Sequence, residues 1–177
     1  MRNLNADVVR DFLVHLGQRY SLPAHLYLIG GAALCLLGSP RTTLDLDYVG
    51  NDVKKNELQN VIDELAREMN LDVEAVPIEQ FIPLPDGAEL RSKLINVFGS
   101  ITVSIFDPYS IALSKIARGF DTDIEDIIFL IQHGFVTIDE LEIMIDAAIL
   151  RGQEFDIMPT EVRQNLQALY RRLESQH

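Results

Sequence analysis

The stretch between Leu28 and Val49 combines more structural signals than any other part of the sequence, and the predicted fold is built around it. A short apolar run ends at Gly30-Gly31, a small-residue apolar segment follows, and a second apolar run carries Asp45 and Asp47. Alternate residues of a strand share one side and lie about 7 Å apart, so we expect both carboxylates on one side of a strand. The glycine pair predicts a turn whose free backbone N–H groups can bind phosphate. We therefore predict a strand–helix–strand unit that holds a divalent metal beside a phosphate-binding turn.

Each residue type in this stretch also has a purely structural explanation. An Asp-x-Asp pair is common on protein surfaces, a glycine pair permits a helix to pack closely on a strand, and Arg41 can form a salt bridge with either aspartate. The run Arg41-Thr42-Thr43, however, places a cation and hydroxyl groups just before the acidic strand. Nucleotidyl transfer needs this set, because Mg²⁺ prefers carboxylate oxygens and because N–H groups and a hydroxyl hold phosphate oxygens. The combination favours a metal and phosphate site, and both interpretations of Arg41 stay open.

Apolar periodicity and turn residues predict an α+β chain. Strands are predicted at residues 26–29, 44–49, 72–76, 95–98 and 101–106, and helices at 5–19, 31–37, 56–69, 108–118, 122–133, 137–150 and 159–174. We expect an α/β core over residues 1–107, followed by a helical region over residues 108–177 that packs on it as a single compact unit.

Local signals support several of these boundaries. Asn5 and Asp107 are predicted helix N-caps, the latter before a proline at the first helical position. Thr137 with Glu140 predicts a capping box. Gly99-Ser100 predicts a two-residue hairpin turn of type II′, in which glycine comes first.

Composition restricts the class of protein and its partners. The apolar and charged fractions of 47% and 24% are those of a soluble globular protein, and the single Cys35 cannot form an intramolecular disulfide. We expect a buried core thiol, a cytoplasmic location and no membrane span. A net charge of −12 disfavours a broad nucleic-acid-binding surface. Eight acids and no Lys or Arg lie between residues 121 and 149, which predicts either a solvated acidic surface or a docking face for a basic partner.

Two groups of these residues resemble the signatures of a known family. Gly30-Gly31 followed by Arg41-Thr42-Thr43-x-Asp45-x-Asp47 is similar to the opening signature of the minimal nucleotidyltransferase fold. A later run resembles the second signature of its AbiEii/MenT-like branch; it comprises Asp107-Pro108, Ser114 to Arg118, and Asp123 to Asp126. Many members of that branch are toxins of toxin–antitoxin pairs or uncharacterised relatives.

The resemblance implies a small mixed sheet with flanking helices, Mg²⁺ in a two-metal site and a nucleoside triphosphate as substrate. It implies that Asp45 and Asp47 bind metal and that Lys115 lies near the phosphates. Asp123 and Asp126 match the acidic pair that follows the lysine. The expected nucleotide-binding residues are Gly30, Gly31, Arg41, Thr42 and Thr43, and those expected to take part in catalysis are Asp45, Asp47, Lys115, Asp123 and Asp126.

Two of these assignments stay open between alternatives. A third metal-binding carboxylate is expected on a neighbouring strand, and the candidates are Glu74 and Asp107. Lys115 can instead form a structural ion pair with Asp123. His15, His25 and His133 show no metal-ligand spacing.

The sequence therefore supports one leading hypothesis and two alternatives. The first is a Mg²⁺-dependent enzyme that moves a nucleoside monophosphate from a triphosphate to an unknown acceptor, which includes a toxin with a small antitoxin-like partner. The second is a non-catalytic interaction module whose acidic helices bind a basic partner. The third, an RNA-binding regulator, is disfavoured by the acidic charge.

Overall fold

The computed structural model describes residues 3–51 and 53–175 and has the α+β architecture expected from the sequence. The strands are β1 (Ala24–Ile29), β2 (Asp45–Val49), β3 (Asp72–Val76), β4 (Lys93–Phe98) and β5 (Ile101–Ile105). The helices are α1 (Ala6–Arg19), α2 (Gly30–Leu36), α3 (Glu57–Met69), α4 (Pro108–Arg118), α5 (Asp121–Gln132), α6 (Ile138–Leu150) and α7 (Pro159–Ser175). All predicted elements are present, and no boundary differs by more than two residues.

The strands form one mixed sheet in the order β3-β2-β1-β5-β4. β1 runs antiparallel to β2 and parallel to β5, while β2 runs parallel to β3. The predicted hairpin joins β4 to β5, and Gly99 has φ +59° there while Ser100 keeps a negative φ, as a type II′ turn requires. A small mixed sheet with flanking helices is thus confirmed.

The two faces of the sheet differ in chemistry. Leu28 of β1 pairs with Tyr48 of β2, and both side chains are buried on the core face. The opposite side, which we call the polar face, also carries Ile29 and the exposed Leu94 and Val97, but most of its side chains are polar or aromatic: His25, Tyr27, Asp45, Asp47, Asp72, Glu74, Thr102 and Ser104. This division follows from the alternation of side chains along each strand and places the two aspartates on one side, as predicted.

The chain divides into two compact units. The first contains the residues up to Ile78 together with Ser92–Phe106, and it includes the sheet and the first three helices. The second contains Glu79–Arg91 and the chain from Asp107 onward, in which α4 packs against α5, α6 and α7. No helix in the described ranges is long and apolar enough to cross a bilayer.

The predicted helix caps are confirmed with one exception. Asn5 accepts a hydrogen bond from Val8 N, and Asp107 accepts from two backbone N–H groups at the start of α4. Thr137 caps α6, but the predicted capping box is incomplete. The backbone N–H of Thr137 donates to the hydroxyl of Tyr109 rather than to Glu140, because this phenol lies between them and donates to the Glu140 carboxylate. Hydrogen bonds from the hydroxyls of Tyr109 and Thr137 to the Glu140 carboxylate lower the pKa of Glu140 below its usual value.

Candidate functional site

The chain passes directly from β1 into α2 at Gly30, next to Asp47. Gly30 has φ +67°, and a Cβ atom there would lie 2.4 Å from Oδ2 of Asp47. Ile29, the preceding residue, pairs with Asp47 across the two strands. Glycine is therefore required at residue 30 twice over, by the backbone conformation and by the close carboxylate.

Gly31 brings the first turn of α2 against the Arg41–Thr43 run. A Cβ atom at Gly31 would lie 2.5 Å from Oγ1 of Thr43 and 3.4 Å from Nη2 of Arg41. Ile29 occupies the N-cap position and has no side-chain group that caps the helix. The glycine pair thus gives both the close packing and the turn that the sequence predicted, and these two interpretations do not exclude each other.

The hydroxyl of Thr43 links this turn to the acidic strand. Its Oγ1 donates a hydrogen bond of 2.9 Å to Oδ1 of Asp45. The Cys35 thiol donates to the carbonyl of Arg41 at 3.2 Å, and its side chain is buried, as expected for a core thiol. Arg41 donates through Nε to the carbonyl of Thr42. The residues of the first signature therefore form one contiguous cluster.

The two aspartates of β2 are half-buried on the polar face. Leu46 between them is completely buried, so the strand alternates between core and polar side chains. Asp45 pairs in register with Asp72 of β3, and Asp47 pairs with Glu74. In-register residues of parallel strands point to the same side, and the strands lie about 4.8 Å apart, so Asp72 and Glu74 share the face of Asp45 and Asp47. Of the two candidates for a third carboxylate, Glu74 is the one on this face.

Asp107 is committed to a structural role within the second unit. Its carboxylate is fully buried, accepts two hydrogen bonds of 2.8 Å from Arg91, and accepts a third of 2.8 Å from the Ser110 hydroxyl. It also accepts from the N–H groups of Tyr109 and Ser110. Because both oxygens are occupied by donors, Asp107 does not fit as a metal ligand. Its carboxylate raises the pKa of Arg91 through the paired hydrogen bonds.

The acidic pair fits one kind of magnesium site. Among residues 3–51 and 53–175, no three Asp, Glu, His or Cys side chains come together in a group that could hold a metal ion. Mg²⁺, however, commonly binds through one or two carboxylates together with substrate phosphates and water. Asp45 and Asp47 therefore fit a Mg²⁺ ion that arrives with a triphosphate, and they do not fit a metal held by protein ligands alone.

Three residues of the second signature, Lys115, Asp123 and Asp126, form a buried ion-pair cluster. Lys115 of α4 has a side chain that is 4% exposed, and its Nζ lies 3.2 Å from Oδ1 of Asp123 and 2.6 Å from Oδ2 of Asp126. Arg118 also binds Asp123, at 2.6 Å, from a side chain that is 59% exposed. The structural ion-pair interpretation of Lys115 is thus confirmed in geometry. Charges this deeply buried persist only when they are paired, so the cluster joins α4 to α5.

Most of the acidic stretch after residue 120 is also paired within its own unit. Arg172 of α7 contacts Asp121 at 2.5 Å and Glu125 at 3.6 Å, and Arg163 contacts Asp146 at 3.4 Å. Asp123 and Asp126 are buried with Lys115. Cations from α4 and α7 thus contact five of the eight acids, while the side chains of Asp121, Glu125 and Asp146 stay largely exposed. A docking face for a basic partner stays a prediction.

One cluster on the polar face was not expected from the sequence. Nε2 of His25 shares a hydrogen bond of 2.8 Å with Oγ of Ser104, which is far away in the chain. The His25 ring stacks on Tyr27 at 4.1 Å between centroids, and Tyr27 meets Phe106 edge-on at 5.9 Å. The alternation in β1 was a readable signal, because it places His25 and Tyr27 on the same side as Ile29. The sequence alone could not show that Ser104 is the partner of His25, because only the pairing of β1 with β5 brings Ser104 close to this ring.

Comparison with known proteins is consistent with this geometry. The model of the family described as "Nucleotidyltransferase of unknown function" (DUF6036) matches residues 9–172. That range includes both the cluster around Gly30 and Asp47 and the ion-pair cluster around Lys115. No curated protein and no solved structure matches the chain.

Proposed function

The chain belongs to the DUF6036 family of nucleotidyltransferases of unknown function, and from this premise we propose that it transfers a nucleoside monophosphate from a Mg²⁺-bound nucleoside triphosphate to an acceptor hydroxyl. The observation that carries the proposal is the contact of Gly30 with Asp47, which puts the β1–α2 turn beside the acidic pair. A phosphate-binding turn and metal-binding carboxylates are the two components that nucleotidyl transfer requires.

The residues around the turn have separable roles in this proposal. Asp45 and Asp47 hold the metal, while the backbone N–H groups at the turn into α2 and the Arg41 guanidinium bind the triphosphate. The hydrogen bond from Thr43 keeps the Asp45 carboxylate in place. When bound, Mg²⁺ neutralises charge on the phosphates and orients them for in-line attack.

The bond changes follow from the reaction class. The acceptor oxygen bonds to the α-phosphorus, the bond between the α-phosphorus and the bridging oxygen breaks, and pyrophosphate leaves with that electron pair. The acceptor proton passes to a carboxylate. Glu74 is the exposed carboxylate in register with Asp47, and we assign it this role as general base.

The AbiEii/MenT-like branch is part of the proposal and rests on Lys115 and the acids that bind it. Their burial supports a role in holding α4 and α5 rather than a direct contact with phosphate. The proposal includes a toxin role with an antitoxin-like partner, because many members of that branch are toxins. The acceptor is a protein or a small molecule rather than RNA, because the net charge of −12 opposes RNA binding.

The test compares Asp45→Asn and Asp47→Asn with Asp11→Asn, an exposed control on α1. Transfer of labelled nucleotide from each of the common triphosphates with Mg²⁺ should fall at least about a hundredfold in the first two variants and stay unchanged in the control. Mg²⁺ with the preferred triphosphate should raise the melting temperature of the unaltered chain by several degrees through mass action. Full transfer by Asp45→Asn, or no stabilisation by any triphosphate, would overturn the proposal.

A further inference from the structure

We propose that the stacked rings of His25 and Tyr27 form a binding platform for the nucleobase of the triphosphate. The inference rests on the proposed function and extends it, because it assigns the part of the site that recognises the nucleoside rather than its phosphates.

The rings form a graded stack on the polar face. Phe106 is buried, Tyr27 is half-buried, and His25 is exposed. The stack therefore has a fixed base and an accessible upper ring. Successive edge-on and parallel contacts hold Tyr27 and His25 in place before any ligand binds.

Ser104 fixes the orientation of the upper ring. Ser104 is 3% exposed, and its hydroxyl shares the 2.8 Å hydrogen bond with Nε2 of His25. An imidazole held at Nε2 keeps one ring face against Tyr27 and the other directed away from it. A flat and pre-oriented aromatic surface suits a nucleobase, because every base has a π-face and stacking tolerates all of them.

The platform continues the proposed phosphate site along the same strand. Ile29 pairs with Asp47, and Tyr27 and His25 precede it at alternate positions on the same side of β1. At about 3.3 Å per residue, Tyr27 lies about 7 Å and His25 about 13 Å along the strand from that pair. A nucleotide whose phosphates lie at Asp47 extends its ribose and base away from them, and β1 provides a surface in that direction.

The chemistry favours a base over other occupants of this face. The carboxylates of Asp45, Asp47 and Glu74 repel an acidic ligand there unless a metal accompanies it. A nucleobase is an uncharged aromatic ring, and the phosphates attached to it arrive with a metal ion. A nucleotide therefore avoids this repulsion. In this proposal the ring stack binds the base, while the acidic pair binds the metal ion that accompanies the phosphates.

The experiment measures Kd values of the full chain for each Mg²⁺–triphosphate and for Mg²⁺–tripolyphosphate, which lacks a nucleoside. His25→Ala should weaken triphosphate binding about tenfold and leave tripolyphosphate binding unchanged. His25→Tyr should restore most of the affinity because it keeps an aromatic face. His25→Asn should not, because it keeps a hydrogen-bonding group without the ring.

A second measurement locates the base directly. On addition of the preferred triphosphate with Mg²⁺, the ring-proton NMR signals of His25 should shift, while those of His15 and His133 serve as internal controls. Equal triphosphate affinity in the unaltered chain and His25→Ala, or an unmoved His25 signal on saturation, would overturn this inference and leave the proposed function intact. If the unaltered chain binds tripolyphosphate and the nucleoside triphosphates equally tightly, the platform is likewise excluded. If it binds neither, the proposed function itself is overturned, and the platform with it.

Discussion

At the scale of single residues, the cluster around Asp47 depends on the absence of a Cβ atom at residue 30. Gly30 allows the Asp47 carboxylate to lie against the backbone of the β1–α2 turn, where any Cβ atom would displace it. The same residue needs a positive φ, which other residues adopt only at a cost. Two independent constraints at one position explain why only glycine allows this turn and this carboxylate to lie so close together.

Gly30→Ala is expected to impair both folding and transfer. We expect the free energy of unfolding to fall by about 2–4 kcal/mol, because about 1–2 kcal/mol of backbone strain adds to the displacement of Asp47. Urea unfolding measures the stability, and labelled-nucleotide incorporation measures transfer.

The matched control is Gly134→Ala. Gly134 has nearly the same φ, +71°, but a Cβ atom there would meet no atom within 4 Å. The control should show only the backbone strain and retain transfer. Equal losses of stability in the two variants, with transfer intact in both, would contradict the importance of the contact between residue 30 and Asp47.

At the scale of elements, α4 and α5 are joined by charges that water hardly reaches. Lys115 meets two buried carboxylates of α5, while Arg118 reaches one of them from a largely exposed position. Removal of one partner from a buried pair leaves an uncompensated charge, which costs far more than the loss of an exposed pair. The two cations should therefore differ strongly in their contribution to stability although they share Asp123.

Lys115→Met should lower the free energy of unfolding by about 3–5 kcal/mol, since it leaves Asp123 and Asp126 buried without the ammonium. Arg118→Met should lower it by about 1 kcal/mol or less. Urea unfolding followed by circular dichroism measures both. Similar costs for the two variants would show that Lys115 is not the main compensating charge of this cluster.

At the scale of the whole molecule, the negative net charge opposes the use of RNA as acceptor in the proposed transfer. The chain has 27 acidic and 15 basic residues, and several of the basic ones are already paired with carboxylates within the helical unit. Binding of nucleic acid needs cations free to replace the counterions of the phosphates. The excess of twelve acidic over basic residues opposes such binding, so RNA is not the acceptor that we expect for the proposed transfer.

The chain is accordingly expected not to bind RNA at about 0.15 M salt. Fluorescence anisotropy of a labelled single-stranded RNA and of a hairpin, titrated with the protein, should show no saturable change. Binding that weakens steeply as salt increases would contradict this expectation and restore RNA to the set of acceptors. A parallel titration with a labelled triphosphate and Mg²⁺ confirms that the preparation is active in binding.

Most elements of the fold were predictable because their causes are local. Capping side chains at Asn5 and Asp107, the glycine at the β4–β5 turn and the apolar periodicity of each helix act within a few residues. The prediction at Thr137 was incomplete because Tyr109, 28 residues away in the chain, takes one of the bonds of the capping box. Only a tertiary contact could reveal that competition.

The acidic strand and its glycine turn could be identified without a structure, because strand alternation and glycine geometry are properties of neighbouring residues. Three further points depend on contacts between distant parts of the chain. Glu74 lies in register with Asp47 while Arg91 engages Asp107, Lys115 is buried between two carboxylates, and Ser104 meets His25. Strand register and helix packing set these contacts between distant residues, and both are determined by burial of the whole core rather than by any short segment.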